Sequence, residues 1–147
     1  MIDRNRQLAE DTTESTSIEA HGDVVFKHLR EAQGYRGMSA EERNRQLRLR
    51  CAESQLWPEF NPMAFDERQN RIISPLVEGE KPMRRQVRQL IEHFRRTGRG
   101  YFADIGKHNV ILRKDDNRMI VIDFEIDEDH PHWKPRKPLY DHIAHFK

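Results

Sequence analysis

The chain has 147 residues, a length that suits one compact domain and argues against two separate cores. Apolar and charged residues each make up 35% and mean hydropathy is −0.97, so the expected core is thin and covered by charged side chains. A total of 26 basic and 25 acidic side chains leaves a formal charge of +1, which excludes a global field committing the molecule to nucleic acid or anionic lipid.

Residues 1–20 carry Asp3, Glu10, Asp11, Glu14 and Glu19 against Arg4 and Arg6, with a Thr/Ser cluster and no aromatic residue. Chain entropy should win over packing there, and the expectation is a disordered acidic tail followed by a single domain over 21–147. Gly22-Asp23 then punctuates Val24-Val25-Phe26-Lys27-His28-Leu29, a predicted strand with Val25, Lys27 and Leu29 on one side. Ser39-Ala40-Glu41-Glu42 has the form of a capping box and predicts a helix ending before Pro58. Leu47, Cys51 and Ser54 would line its inner side, with Arg43, Arg45, Arg48 and Arg50 on the solvated remainder. A hairpin is expected from Met63-Ala64-Phe65 and Arg71-Ile72-Ile73, its second arm made an edge or interrupted strand by Pro75.

Pro82 should open a second helix, whose stripe is Met83, Val87, Leu90, Ile91 and Phe94, and Gly98 should stop it. Its other face holds Arg84, Arg85, Arg88, Arg95 and Arg96. A solvated face is the commoner meaning of such a run, and no aromatic stacking series accompanies it, so nucleic acid is not the expected partner. A second hairpin joins Val110-Ile111-Leu112 to Met119-Ile120-Val121-Ile122 through a polar turn. Three prolines punctuate the charged stretch after Asp127, and Leu139 to Phe146 could add a terminal helix. Asp127, Asp129, His130 and His132 lack a matching upstream ligand pair and read as a solvated loop.

Cys51 is the only cysteine, which excludes an intramolecular disulfide and a multi-cysteine metal site. The longest apolar run, Met119 to Ile122, is far too short to cross a bilayer, and no hydrophobic leader follows Met1. A soluble intracellular protein, cytoplasmic or nuclear and without a membrane partner, is the expectation.

Three polar residues bracket the second hairpin. Asp104 precedes Asn109 by five positions, a strand follows, and a hydrophobic strand then delivers Asp123-Phe124-Glu125. This resembles the catalytic loop and metal-binding strand of the protein-kinase-like superfamily. Phosphoryl transfer needs a carboxylate near the acceptor hydroxyl and hard oxygen ligands for magnesium, and a hairpin can deliver both at one end. The resemblance implies Asp104 as base, with Asn109 and Asp123 on the metal. Upstream, Val24-Val25-Phe26-Lys27 resembles the strand whose lysine holds nucleotide phosphates, and the capped helix lies where the family's regulatory helix would. Its Glu42 is the implied partner of Lys27. Ile72 to Gly79 resembles the strand and hinge that cradle adenine, with Glu78 near a hinge at 78–82.

The likeness implies an α+β, reduced protein-kinase-like fold with a small N-terminal sheet, one helix, then a helix and the catalytic-loop hairpin, and a truncated second lobe. ATP and Mg2+ are the implied cofactors, and a protein or small-molecule hydroxyl is the implied acceptor. The sequence also departs from the pattern. Phe102-Ala103-Asp104 stands where the family has His-x-Asp, and no G-x-G-x-x-G precedes Lys27. Asp-Phe-Glu in place of Asp-Phe-Gly is similar to small-molecule kinases of the aminoglycoside and choline type. The departures leave open a catalytically inactive, pseudokinase-like protein-binding module. They also leave open a bland reading of Lys27 as a strand lysine with its ammonium in water.

Overall fold

The computed structural model describes residues 15–30 and 38–135. Expectations for residues 1–14 and for a terminal helix over 139–146 lie outside these. The described residues form a mixed α+β structure in which two helices accompany small antiparallel sheets.

Strands β1 (Ser15–His21) and β2 (Val24–Leu29) make a hairpin. Gly22 has φ 63°, the left-handed first position that a two-residue hairpin turn of the primed type requires. The expectation of disorder over residues 15–20 is therefore corrected. From Ser15 onward the chain is an ordered strand, with Ile18 opposite Lys27 and Ala20 opposite Val25. A polar, charged strand is stable here because β2 satisfies its backbone and because it lies at the sheet edge. The sheet order is β1, β2, β4, β3, with β3 at Ala64–Asp66 and β4 at Arg71–Pro75. β4 is thus interior, not the edge or interrupted strand expected from its proline. Pro75 is its last residue, so the missing N–H falls where the ladder ends, and the Pro75 carbonyl accepts from Asn61 Nδ2 at 2.8 Å.

Helix α1 spans Ala40–Ser54 and is capped by Ser39, whose Oγ accepts from the Glu42 amide at 3.1 Å. Leu47, Cys51 and Ala52 are buried on its inner side. Arg43, expected on the solvated face, is buried instead. Its guanidinium donates to the Arg30 carbonyl at 2.6 Å and to Asn70 Oδ1, while Asn70 Nδ2 donates to the Leu29 carbonyl. A buried cation is tolerable because these oxygens saturate it, and the cluster fixes the start of α1 on the end of β2.

Helix α2 spans Arg84–Arg96, and Val87, Leu90 and Phe94 are buried. Met83 does not belong to that stripe. It is the N-cap, 51% exposed, and its backbone N–H donates to the Gln86 side chain at 2.7 Å. Gly98, with φ 76°, closes the helix. The rest of the chain forms β5 (Gly79–Glu80), β6 (Phe102–Ala103), β7 (Val110–Arg113), β8 (Met119–Val121) and β9 (Glu125–Ile126). β5, β7 and β8 make a three-stranded sheet, and β6 pairs with β9. One apolar cluster joins Leu29 of β2, Leu47 of α1, Phe65 of β3, Phe94 of α2, Val110 of β7 and Phe124.

Candidate functional site

Strand register gathers the residues that sequence spacing singled out. β6 runs antiparallel to β9 with Phe102 opposite Ile126 and Ala103 opposite Glu125. β7 runs antiparallel to β8 with Val110 opposite Val121, and the Ile122 amide donates to the Asn109 carbonyl at 2.8 Å. Asp104 follows β6, Asn109 precedes β7, and Asp123 lies between β8 and β9. All three therefore come to one end of the β7–β8 hairpin.

Lys27 reaches the same end from the N-terminal sheet. Its Nζ lies 3.3 Å from Asp123 Oδ2, a contact across 96 positions of sequence. The two side chains are 14% and 17% exposed. The reading of Lys27 as a lysine extended into water is overturned by that burial and that partner. The alternation of β2 explains it: Val25 and Leu29, on the same side as Lys27, are buried. On the other carboxylate oxygen, Asp123 Oδ1 accepts from the Phe124 amide at 2.9 Å and lies 3.5 Å from an Arg50 terminal nitrogen. Arg50 also donates to the Phe124 carbonyl at 3.3 Å. Sequence reasoning placed Arg50 on a solvated face. Its side chain is 13% exposed, and nothing in the helical periodicity distinguishes it from Arg48, because the partner is supplied 73 positions away.

Asp104 adopts φ 59°, a left-handed conformation uncommon outside glycine, though aspartate tolerates it better than most residues. Backbone strain of this kind persists where surrounding contacts hold it. Here Asn109 Nδ2 donates to the Asp104 carbonyl at 2.7 Å and to its Oδ2 at 3.2 Å. His108 Nε2 lies 3.6 Å from Asp104 Oδ1, and the Asp104 side chain remains 52% exposed. It can meet a molecule from solvent. Asn109 is 2% exposed, and its Oδ1 accepts no hydrogen bond from the described residues. A buried amide oxygen without a donor wants a water or a cation.

Phe102 is a packing residue. Its ring lies 4.6 Å from that of Phe60, 4.7 Å from Tyr101, 5.5 Å from Phe94 and 5.3 Å from Phe124, mostly edge to face. These contacts clamp the residue that follows Asp123 against the strand that leads to Asp104.

Glu42 and Glu78 stand elsewhere. The Glu42 carboxylate accepts from Arg45 at 2.6 and 2.9 Å and from Gln46 at 3.3 Å, rather than from Lys27. The Arg45 guanidinium beside it holds its carboxyl below the usual range. Glu78 lies at the opposite end of the hairpin, where its carbonyl accepts from the Lys114 amide. It lines a cleft of about 430 Å³ with Asp23, Asn61, Val77 and Asp115.

Asp123 and Asn109 offer one carboxylate and one open amide oxygen, the hard donors that magnesium takes when phosphates and waters complete its shell. Among the described residues no group of three or more His, Cys, Asp or Glu side chains could hold a metal ion unaided. No protein-family model matches the chain, and no curated protein matches it significantly. Among the described residues no helix is long and apolar enough to cross a membrane.

Proposed function

We propose that this protein is a reduced kinase-like phosphotransferase that uses ATP and magnesium to phosphorylate a protein or small-molecule hydroxyl. The observation that carries the reading is the Lys27–Asp123 pair at the hairpin end that also bears Asp104 and Asn109. The order of elements supports a kinase-like architecture: lysine strand, helix, hairpin, connecting strand, long helix, then a loop and hairpin closed by the β6–β9 pair.

In this mechanism Lys27 would neutralise phosphate oxygens, and Asp123 and Asn109 would hold the cation. Asp104, exposed on a strained loop, orients the acceptor hydroxyl and takes its proton as the oxygen attacks the terminal phosphorus. Magnesium, when bound, would supply charge neutralisation at the phosphates. The bond from the bridging oxygen to that phosphorus breaks, and ADP leaves. ATP turnover against a panel of hydroxylated small molecules and proteins tests the assignment, with Asp104→Ala as the control. Loss of a general base should lower turnover by about 10² to 10⁴-fold, and turnover indifferent to the substitution overturns the role.

A second reading, a catalytically inactive pseudokinase-like module that binds another protein, is favoured by Phe102 and by the lack of a glycine-rich motif before Lys27. It requires no turnover, with or without nucleotide binding.

A further inference from the structure

In several parts of the chain an arginine is met by a carboxylate of the same molecule. Arg48 lies 2.8 Å from Glu67, Arg71 3.0 Å from Asp66, Arg99 2.8 Å from Glu59 and Arg113 2.6 Å from Asp116. Helix α2 breaks that pattern. Its Arg84, Arg85, Arg88, Arg95 and Arg96 are all exposed, and at about 3.6 residues per turn they fall within about a third of the helix circumference over about 18 Å. Of these, Arg95 alone has an ion pair among the described residues, with Glu92 at 3.6 Å, and both of those side chains are more than half exposed. The first turn of α2 holds no acidic residue, so Arg84 and Arg85 sit at the positive end of the helix dipole. Cations there destabilise a helix unless an anion meets them.

The neighbouring feature is apolar. Met83, immediately before the row, is the large hydrophobic side chain that the described residues leave exposed, at 51%. No aromatic side chain among them is exposed in that way, which removes the stacking platform that a single nucleic-acid strand needs. A duplex would carry its evenly spaced phosphates past Glu92, which lies within the row, and would leave Met83 without an apolar contact. A polypeptide with several carboxylates and an apolar side chain suits both features, and methionine and arginine are enriched where proteins meet. We propose that Met83, Arg84, Arg85 and Arg88 form a docking surface for an acidic segment of another protein, whose carboxylates meet the guanidinium groups and whose apolar side chain covers Met83. The surface does not depend on the nucleotide reading, since none of its residues lies at the hairpin end that carries Lys27 and Asp123. It serves an active enzyme and an inactive protein-binding module equally.

Fluorescence anisotropy of a labelled peptide, glutamates flanking a single leucine, titrated with the full chain in the absence of nucleotide, tests this. The native chain should bind that peptide in preference to its all-glutamine counterpart, and more weakly as salt is raised. The combined variant Arg84→Gln, Arg85→Gln, Arg88→Gln loses a set of exposed ion pairs and should bind about tenfold more weakly. Its thermal midpoint should be unchanged or higher, because cations leave the first turn. Met83→Ser, at a position where serine caps well, should weaken binding about threefold through the lost apolar contact. Undiminished binding by the combined variant overturns the proposal, as does a lower melting point, which would make the arginines structural. Tighter binding of a DNA duplex than of the peptide, indifferent to Met83→Ser, reassigns the surface to nucleic acid and overturns it. Absence of peptide binding by the native chain at about 1 mM leaves only a solvated face.

Discussion

Two ionic clusters tie distant parts of this chain together, and they are built to opposite specifications. Around Glu59, Arg99 donates from both terminal nitrogens at 2.8 and 2.9 Å, and His93 Nε2 lies 2.8 Å away. The Arg99 Nε–H donates to Thr97 Oγ1 at 3.0 Å, and its guanidinium carbon lies 4.5 Å from the Trp57 ring centroid and 5.0 Å from that of Phe94. Each charge is closely met. Around Asp123, the contacts to Lys27 and Arg50 are 3.3 and 3.5 Å, and a buried amide oxygen nearby accepts nothing from the described residues. Short, bidentate geometry fixes a fold, whereas longer contacts beside an open amide oxygen leave room for a ligand.

The sharpest way to break this contrast is to remove one partner from each cluster. Arg99→Met leaves the Glu59 carboxylate, only 14% exposed, without its bidentate cation, and should cost about 3 kcal/mol in urea unfolding. The acid limb of the stability profile comes next. Arg99 and His93 hold the Glu59 carboxyl down at about 2, below its ordinary 4.5. A depressed folded-state value means that its contribution is complete above about pH 4.5 and lost as pH falls toward 2. With discount for solvent screening this amounts to about 1 to 2 kcal/mol, and Glu59→Gln should flatten that part of the curve. Lys27→Met leaves Asp123 with its Arg50 and Phe124 contacts and should destabilise less than Arg99→Met, while on the proposed reading abolishing nucleotide binding. A Lys27→Met variant as unstable as Arg99→Met would place both clusters in the same structural class.

Local pattern carried the elements that local forces decide. The alternation of Val25, Lys27 and Leu29 fixed the face of β2, Ser39 marked the start of α1, and Val87, Leu90 and Phe94 marked the inner face of α2. What escaped depends on partners remote in sequence. β1 has too few apolar residues to read as a strand, and it is held by the backbone of β2. β6 and β9 are two residues each, too short for any periodicity. Arg43 and Arg50 are indistinguishable from their exposed neighbours until Asn70 and Asp123 are folded against them. At the candidate site, the spacing of Asp104, Asn109 and Asp123 was legible because one hairpin connects them. Lys27 was legible only through the order of elements, and Glu42 was misjudged as its partner because Arg45, three residues away on the same helix, takes that carboxylate first.

Thermal unfolding of the unsubstituted chain and of Asp123→Asn, with and without millimolar ATP and magnesium, tests the central claim most directly. A ligand that binds only the folded form raises stability by mass action, about 2.7 kcal/mol at a hundred times its Kd. The account expects a magnesium-dependent rise of several degrees in the native chain and none in Asp123→Asn. No rise in the native chain, or the same rise in both, would contradict it.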